Sequence, residues 1–205
     1  IAVLEAVYNM QNHNPNLDID LSEQYLVSCG SEMSLGMDGC CGGHLSATMN
    51  FLSNYGTVTE GCFSYQAIDH KGRDYDDCDL FVPPSNDPVT CSDRCSNWQS
   101  EILKIKSYKS LLTKNSIKNA IVEYGPVIAG FDVYEDFKEY EGGVYEHTSG
   151  KYVGGHIVTI IGYDDAGGYW ICKNSWTDDW GENGYFRIKY GECGIDSAGR
   201  TAYIT

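Results

Sequence analysis

Three short stretches of this 205-residue chain collect side chains able to do chemistry. One is Gly155-His156, running into the apolar segment Ile157–Tyr163. Another is Asn174-Ser175-Trp176, followed by Trp180-Gly181-Glu182-Asn183-Gly184-Tyr185. The third is Leu21-Ser22-Glu23-Gln24-Tyr25-Leu26-Val27-Ser28-Cys29, with Gly39-Cys40-Cys41-Gly42-Gly43 after it. Histidine supplies a general acid or base near neutral pH, and cysteine attacks a carbonyl well only as thiolate. A neighbouring imidazolium and a helix N-terminus both stabilise that anion. Taken singly, each stretch has an ordinary structural use. A lone histidine heading an apolar strand is usually a hydrogen-bonded structural residue, Asn174 alone reads as a turn residue, and Trp176 and Trp180 read as core aromatics.

The bulk properties narrow the setting. Fourteen basic against 29 acidic residues give a formal charge of −15. Such a field repels phosphate backbones, so nucleic acid is disfavoured as a partner. No run approaches the roughly 18 apolar residues of a membrane span. Nine cysteines are too many for a typical cytosolic enzyme and point to disulfides in an oxidising compartment. Because nine is odd, at least one thiol lacks a partner within the chain. No N-x-Ser/Thr sequon occurs. The acidic run Asp74-Tyr75-Asp76-Asp77-Cys78-Asp79 has neither the glycine nor the spaced glutamate of an EF-hand loop and reads as solvated. His13, His44, His70 and His147 stand in loops without an evident partner.

The elements that must position these residues divide in texture. Residues 1–10 are good helix formers, apolar nearly all round, stopped by Asn12-His13-Asn14-Pro15-Asn16 but lacking any cap at their start. The helix is expected to begin before Ile1. A short helix follows over 21–27, capped by Ser22 or Asp20. Glycine makes 29–43 loop-like throughout, and helical spacing returns over 45–54. Residues 66–97 form a long polar stretch whose three cysteines suggest disulfide staples. From Ile102 onward come short β-rich runs: 102–108, 126–133, 142–146, 156–163, 169–176, 184–191 and 202–205. One helix, 116–123, interrupts them, and the pattern suggests an antiparallel sheet or barrel.

In combination and in this order, the three stretches resemble the papain-like cysteine peptidases. Gly125-Pro126-Val127 and Tyr140-Glu141-Gly142-Gly143-Val144-Tyr145 extend the resemblance over essentially the whole chain. It implies an α+β fold of two lobes with the active-site cleft between them. A helical lobe would cover 1–105, with an insertion at 66–97, and an antiparallel β-barrel-like lobe would cover 106–205. His156 would be the catalytic imidazole and Asn174 its orienter, with Trp176 shielding their hydrogen bond from water. Gly42, Gly43, Gly155, Ile157 and Trp180 would bind substrate: Gly43 by backbone pairing with an extended peptide, Trp180 on the leaving-group side. Ile157 replaces a residue that is usually Ala or Gly, implying a shallower specificity pocket. Thr177 stands where glycine usually follows the tryptophan.

The resemblance also says what to look for in the cysteines. The family's nucleophile lies in a Gln…Cys-Gly-Ser-Cys-Trp segment at the start of the central helix, and neither that Gln nor that Cys is in this sequence. Glu5 matches a glutamate about three turns into the helix, so the nucleophile is expected about half a dozen residues upstream of Ile1. Cys29-Gly30-Ser31 imitates the signature, and it nearly has the ~130–150-residue spacing to His156 and Asn174. It follows a predicted helix instead of opening one, so no helix dipole supports a thiolate there. Cys29, Cys40, Cys62, Cys78, Cys91, Cys95 and Cys193 are taken as structural. Cys40 would pair with a cysteine just before the nucleophile, and Cys29 with one of Cys62, Cys78, Cys91 or Cys95. Cys193 matches a family half-cystine whose usual partner would fall near Val153. Cys172 is expected as a buried thiol. On ligand type alone, zinc at Cys40, Cys41 and His44 or at Cys91 and Cys95 competes with the disulfide reading, which is preferred. No metal or cofactor is expected. Two functions follow: a peptidase acting on peptide or protein outside the cytosol, secreted or in a lysosome-like compartment, or a non-catalytic homologue that binds peptide or serves as a structural or adhesive module.

Overall fold

The computed structural model describes residues 1–33, 36–74, 78, 86–198 and 201–205. It divides into two compact units, Asn16–Ser107 (with Ile1) and Tyr108–Thr205, the second including Ala2–Pro15.

The first unit is helical and irregular. Ser22 caps helix α2 (Glu23–Tyr25), its Oγ accepting the Tyr25 N–H at 3.0 Å. The helical run does not stop at Val27. It continues through a π turn, Leu26–Gly30, into α3 (Ser31–Met33). The loop expected throughout 29–43 is therefore corrected at its start. The physical reason lies in Ser31, whose Oγ donates back to the Val27 and Ser28 carbonyls, and in Gly30, which is buried against Met37. A 3₁₀ turn, Gly39–Cys41, precedes α4 (Leu45–Asn54). The small core holds Tyr25, Cys29, Phe51, Val58, Cys62, Phe63 and Cys91.

Three disulfides tie this unit: Cys29–Cys91, Cys41–Cys78 and Cys62–Cys95. Each takes one end from the 66–97 stretch, so the staples expected there are present. Cys91 is the partner of Cys29, and Cys41, left out of the structural set, takes Cys78. Cys40 and Cys193 are free in the chain as described, and so is the buried Cys172. The zinc reading loses its ligands Cys41, Cys91 and Cys95 to these bonds. The acidic run at 74–79 lies mostly outside the described residues.

The second unit is a seven-stranded sheet in the order β1-β7-β2-β4-β5-β6-β3. Its strands are β1 (Tyr108–Leu111), β2 (Val127–Tyr134), β3 (Val144–Tyr145), β4 (Tyr152–Asp164), β5 (Tyr169–Lys173), β6 (Tyr185–Lys189) and β7 (Thr201–Ile204). All pairings are antiparallel except β3 with β6, which is parallel. Along β2, Val127, Ala129, Phe131 and Val133 are buried alternately, the period-2 signature of a half-buried strand. They pack with Val158, Ile160, Trp170, Cys172, Phe186 and Ile188. Helix α1 (Ala2–Gln11) belongs to this unit, as do α5 (Lys114–Tyr124) and α6 (Glu135–Lys138). Thr113 and Ser116 form a reciprocal cap at the start of α5. Two strand expectations need correction. Of the run 102–108, Leu103 forms an isolated bridge with Thr57, and the strand proper, β1, begins only at the run's last residue, Tyr108. Strand β4 begins four residues earlier than 156, so His156 sits inside a strand instead of heading it. The glycines at 154 and 155 hid that extension, since glycine has low strand propensity.

Candidate active site

His156 faces the core side of β4, in phase with Val158 and Ile160 and opposite Phe131 of β2. Its ring lies 6.0 Å from the Phe131 ring and 5.0 Å from that of Trp176. Asn174 is the first residue after β5, and its backbone N–H donates to the Gly184 carbonyl at 2.9 Å. That bond holds the side chain beside β4. Asn174 Oδ1 lies 2.8 Å from His156 Nε2 and also accepts the Ser175 N–H at 2.9 Å. A backbone N–H can only donate, so the Ser175 bond fixes which amide atom is the oxygen. The His156 Nε2 must then carry a hydrogen, which leaves Nδ1 of the neutral ring as the basic nitrogen. Burial pushes the His156 pKa below its usual value, and the Asn174 hydrogen bond works against that by favouring the charged ring. Asn174 is 8% exposed, and its Nδ2 is buried with no hydrogen-bond partner among the described residues.

The aromatic cover is continuous. Trp176 packs edge-to-face on Trp180 at 5.2 Å, and Phe137 touches both rings. Trp180 Nε1 donates to the Lys138 carbonyl. The loop that carries both tryptophans is closed by Glu182, which ion-pairs with Arg187 and accepts the Gly143 N–H at 3.1 Å. Thr177 adopts φ 70°, a left-handed conformation that is uncommon for a β-branched residue. On the opposite face of β4, Gly155 is exposed and Ile157 is 44% exposed.

In the first unit, Gly42 and Gly43 are exposed. Gly43 forms an isolated antiparallel bridge with Met37, made by Asp38 N–H to Gly42 O and His44 N–H to Gly36 O, both at 2.8 Å. In this pairing the N–H and C=O of Gly43 itself point away from Met37. A Cβ at Gly43 would lie 3.1 Å from the Gly36 carbonyl, so close backbone approach explains the glycine.

The chain's thiols do not fit a nucleophile. Cys29 is locked in a disulfide. Burial, aided by Asp69 and Asp74, pushes the Cys40 thiol up to about 11. Burial and Glu192 push Cys193 to about 12, and complete burial raises Cys172 as well. Among the described residues no three His, Cys, Asp or Glu side chains converge as metal ligands, and no helix is long and apolar enough to cross a membrane.

The structure thus brings His156, Asn174, Trp176 and Trp180 together and sets Gly155 and Ile157 on the other face of the strand. Sequence reasoning missed the Ser175 N–H, the Gly184 carbonyl and Phe137. The first two act through the backbone, which residue type does not signal. Phe137 sat in a short helix between strands that its local pattern did not reveal.

The model of the papain family of cysteine proteases matches residues 1–203. The chain is 38% identical over 186 residues to cathepsin B-like CP3 of Giardia intestinalis, covering 87% of this chain and 56% of that protein. It is equally similar to a gut-specific cysteine proteinase of Caenorhabditis elegans, covering 86% of this chain and 55% of that protein. Among solved structures, procathepsin B S9 of Trypanosoma congolense matches with a TM-score of 0.74 and 26% identity, over 98% of this chain and 64% of that one. Digestive procathepsin L 3 of Tenebrio molitor larval midgut gives 0.73 and 26%, over 99% and 60%. The chain therefore spans little more than half the length of the curated relatives it matches.

Proposed function

We propose a function from one premise: the chain belongs to the papain family of cysteine proteases. It is the histidine- and asparagine-bearing part of a peptidase that hydrolyses peptide bonds through a Cys-His-Asn arrangement. The cysteine and the oxyanion glutamine are carried by sequence upstream of residue 1. The observation that supports this reading most strongly is the bond from His156 Nε2 to Asn174 Oδ1, which leaves Nδ1 basic.

In the mechanism, Nδ1 takes the thiol proton and the thiolate attacks the scissile carbonyl carbon. The protonated imidazole gives its proton to the leaving amine, and a thioester remains. Nδ1 then takes a proton from water, whose oxygen attacks the thioester, and the cysteine leaves as thiolate. Asn174 keeps the ring in one tautomer and orientation throughout, and Trp176 excludes water from that bond. In the first unit Gly43 pairs with extended peptide through its outward N–H and C=O, beside Gly42; in the second, Gly155 is a further substrate-binding residue. Ile157 walls a shallow specificity pocket, and Trp180 flanks the leaving group. The substrate is peptide or protein. The three disulfides support a secreted or lysosome-like setting.

Fluorogenic peptides test this. The protein carrying its upstream segment should hydrolyse them in a thiol-dependent manner, faster with a small residue than with a bulky aromatic two positions before the scissile bond. The 205 residues alone should be inactive, because groups acting as a unit fail together. A serine or glycine at the upstream position, with peptide binding but no hydrolysis, would make it a binding module instead.

A further inference from the structure

A dense polar assembly joins two stretches of the first unit, the turn at 38–43 and the turn at 69–73. The Asp69 side chain is fully buried. Its Oδ1 accepts the backbone N–H groups of Lys71 and Arg73 at 2.8 and 3.0 Å, and its Oδ2 accepts Arg73 Nε at 2.9 Å. The same guanidinium reaches the other turn: Nη2 donates to Asp38 O at 3.0 Å and to Asp38 Oδ1 at 2.7 Å. Lys71 Nζ donates to Asp38 Oδ1 at 2.9 Å. Gly39 lets the two turns touch, since a Cβ there would fall 2.4 Å from Asp69 Cβ. Arg73, foremost, holds the Asp38 carboxyl down at about 2. Burial works to raise the Asp69 pKa, but its hydrogen bonds from Arg73 and Lys71 outweigh that and leave it lowered.

The Asp38 end is half exposed, so its ion pairs add little to global stability. What a guanidinium fork adds is geometry. Here the geometry bears on Asp38 N–H to Gly42 O, one of the two bonds that make the Met37–Gly43 bridge. We infer that Arg73 is a positioning residue for substrate: by joining buried Asp69 to Asp38, it holds the 38–43 turn so that the Gly43 N–H and C=O stay aimed outward for peptide. This rests on the peptide-pairing role proposed for Gly43.

The test is the Asp69→Asn/Arg73→Met double variant in the protein carrying its upstream segment. The asparagine oxygen keeps both backbone N–H bonds of the 69–73 turn, and no charge is left buried and unpaired. KM should rise about tenfold while kcat stays within about twofold, the signature of lost uniform binding. Arg73→Lys keeps the charge without the fork and should raise KM by a smaller factor. An unchanged KM in the folded double variant overturns the inference. If the double variant does not fold, an unchanged KM for Arg73→Lys does so. A wild-type protein that neither cleaves nor binds peptide would sink the proposed function, and this inference with it. An active wild type with unmoved variants sinks the clamp alone.

Discussion

The two units hold themselves together by different means. Asn16–Ser107 surrounds a small core with three disulfides and the buried Asp69–Arg73 pair. Tyr108–Thr205 has no disulfide among its described residues and relies on a sheet whose inner face is aromatic and branched aliphatic. The contrast extends to the candidate residues. Gly42 and Gly43 present backbone from an irregular turn fixed by ties to distant sequence. His156 and Asn174 present side chains from strands or strand ends fixed by register. In the roles proposed above, backbone recognition draws on a turn held from outside, and proton transfer draws on side chains seated on a packed core.

Reduction should break the comparison most visibly. Each native disulfide of a small domain contributes on the order of 2–5 kcal/mol. Adding reductant should abolish amide protection over 16–107 while 108–205 keeps its slow-exchanging strands, as read by hydrogen exchange. Equal loss in both units would show that the second depends on the first. Asn174→Ala should act within the sheet unit alone. It removes a hydrogen bond worth roughly 1 kcal/mol and takes away the contact that favours the charged ring, so the His156 pKa should fall further. Histidine NMR titration checks the direction, and a rise would contradict the assignment of the bond. The same shift has a consequence for wild-type stability. Because folding depresses this pKa, the unfolded chain binds more protons just below about pH 6.5, and His156 should cost stability as pH falls through that range. The smallest effect sharpens the loop geometry. Thr177 holds φ 70°, a left-handed conformation that costs an L-residue roughly 1–2 kcal/mol, so Thr177→Gly should raise stability by about 1 kcal/mol in denaturant melts. A destabilised variant would mean that the threonine side chain offsets the strain.

How far the sequence was legible follows the same division. In the sheet unit, the β-rich runs located the strands, because strand propensity and turn signals are local rules. The His156–Asn174 pair, by contrast, was reached only through the family resemblance that the three stretches carry together. The exceptions were local conflicts: Gly154 and Gly155 concealed the first residues of β4, and the β-rich run at 102–108 enters the sheet only at its last residue, Tyr108. In the first unit the helix over 45–54 was readable, whereas the π turn at Leu26–Gly30 was not, since it depends on where Gly30 and Ser31 pack. Disulfide partners were equally out of reach. Cys29 had four candidates, and only its packing against Cys91 in three dimensions selects among them. The clamp between Asp38 and Asp69 joins residues with no pattern relating them.

The central claim is that His156, oriented by Asn174, moves the protons of thiol-dependent peptide hydrolysis. Its most direct test is kcat for His156→Ala in the protein carrying its upstream segment, with folding verified by circular dichroism. The account predicts a fall on the order of 10³-fold or more, as expected when one member of a catalytic unit is removed. A folded variant that keeps kcat within about tenfold of wild type would contradict it.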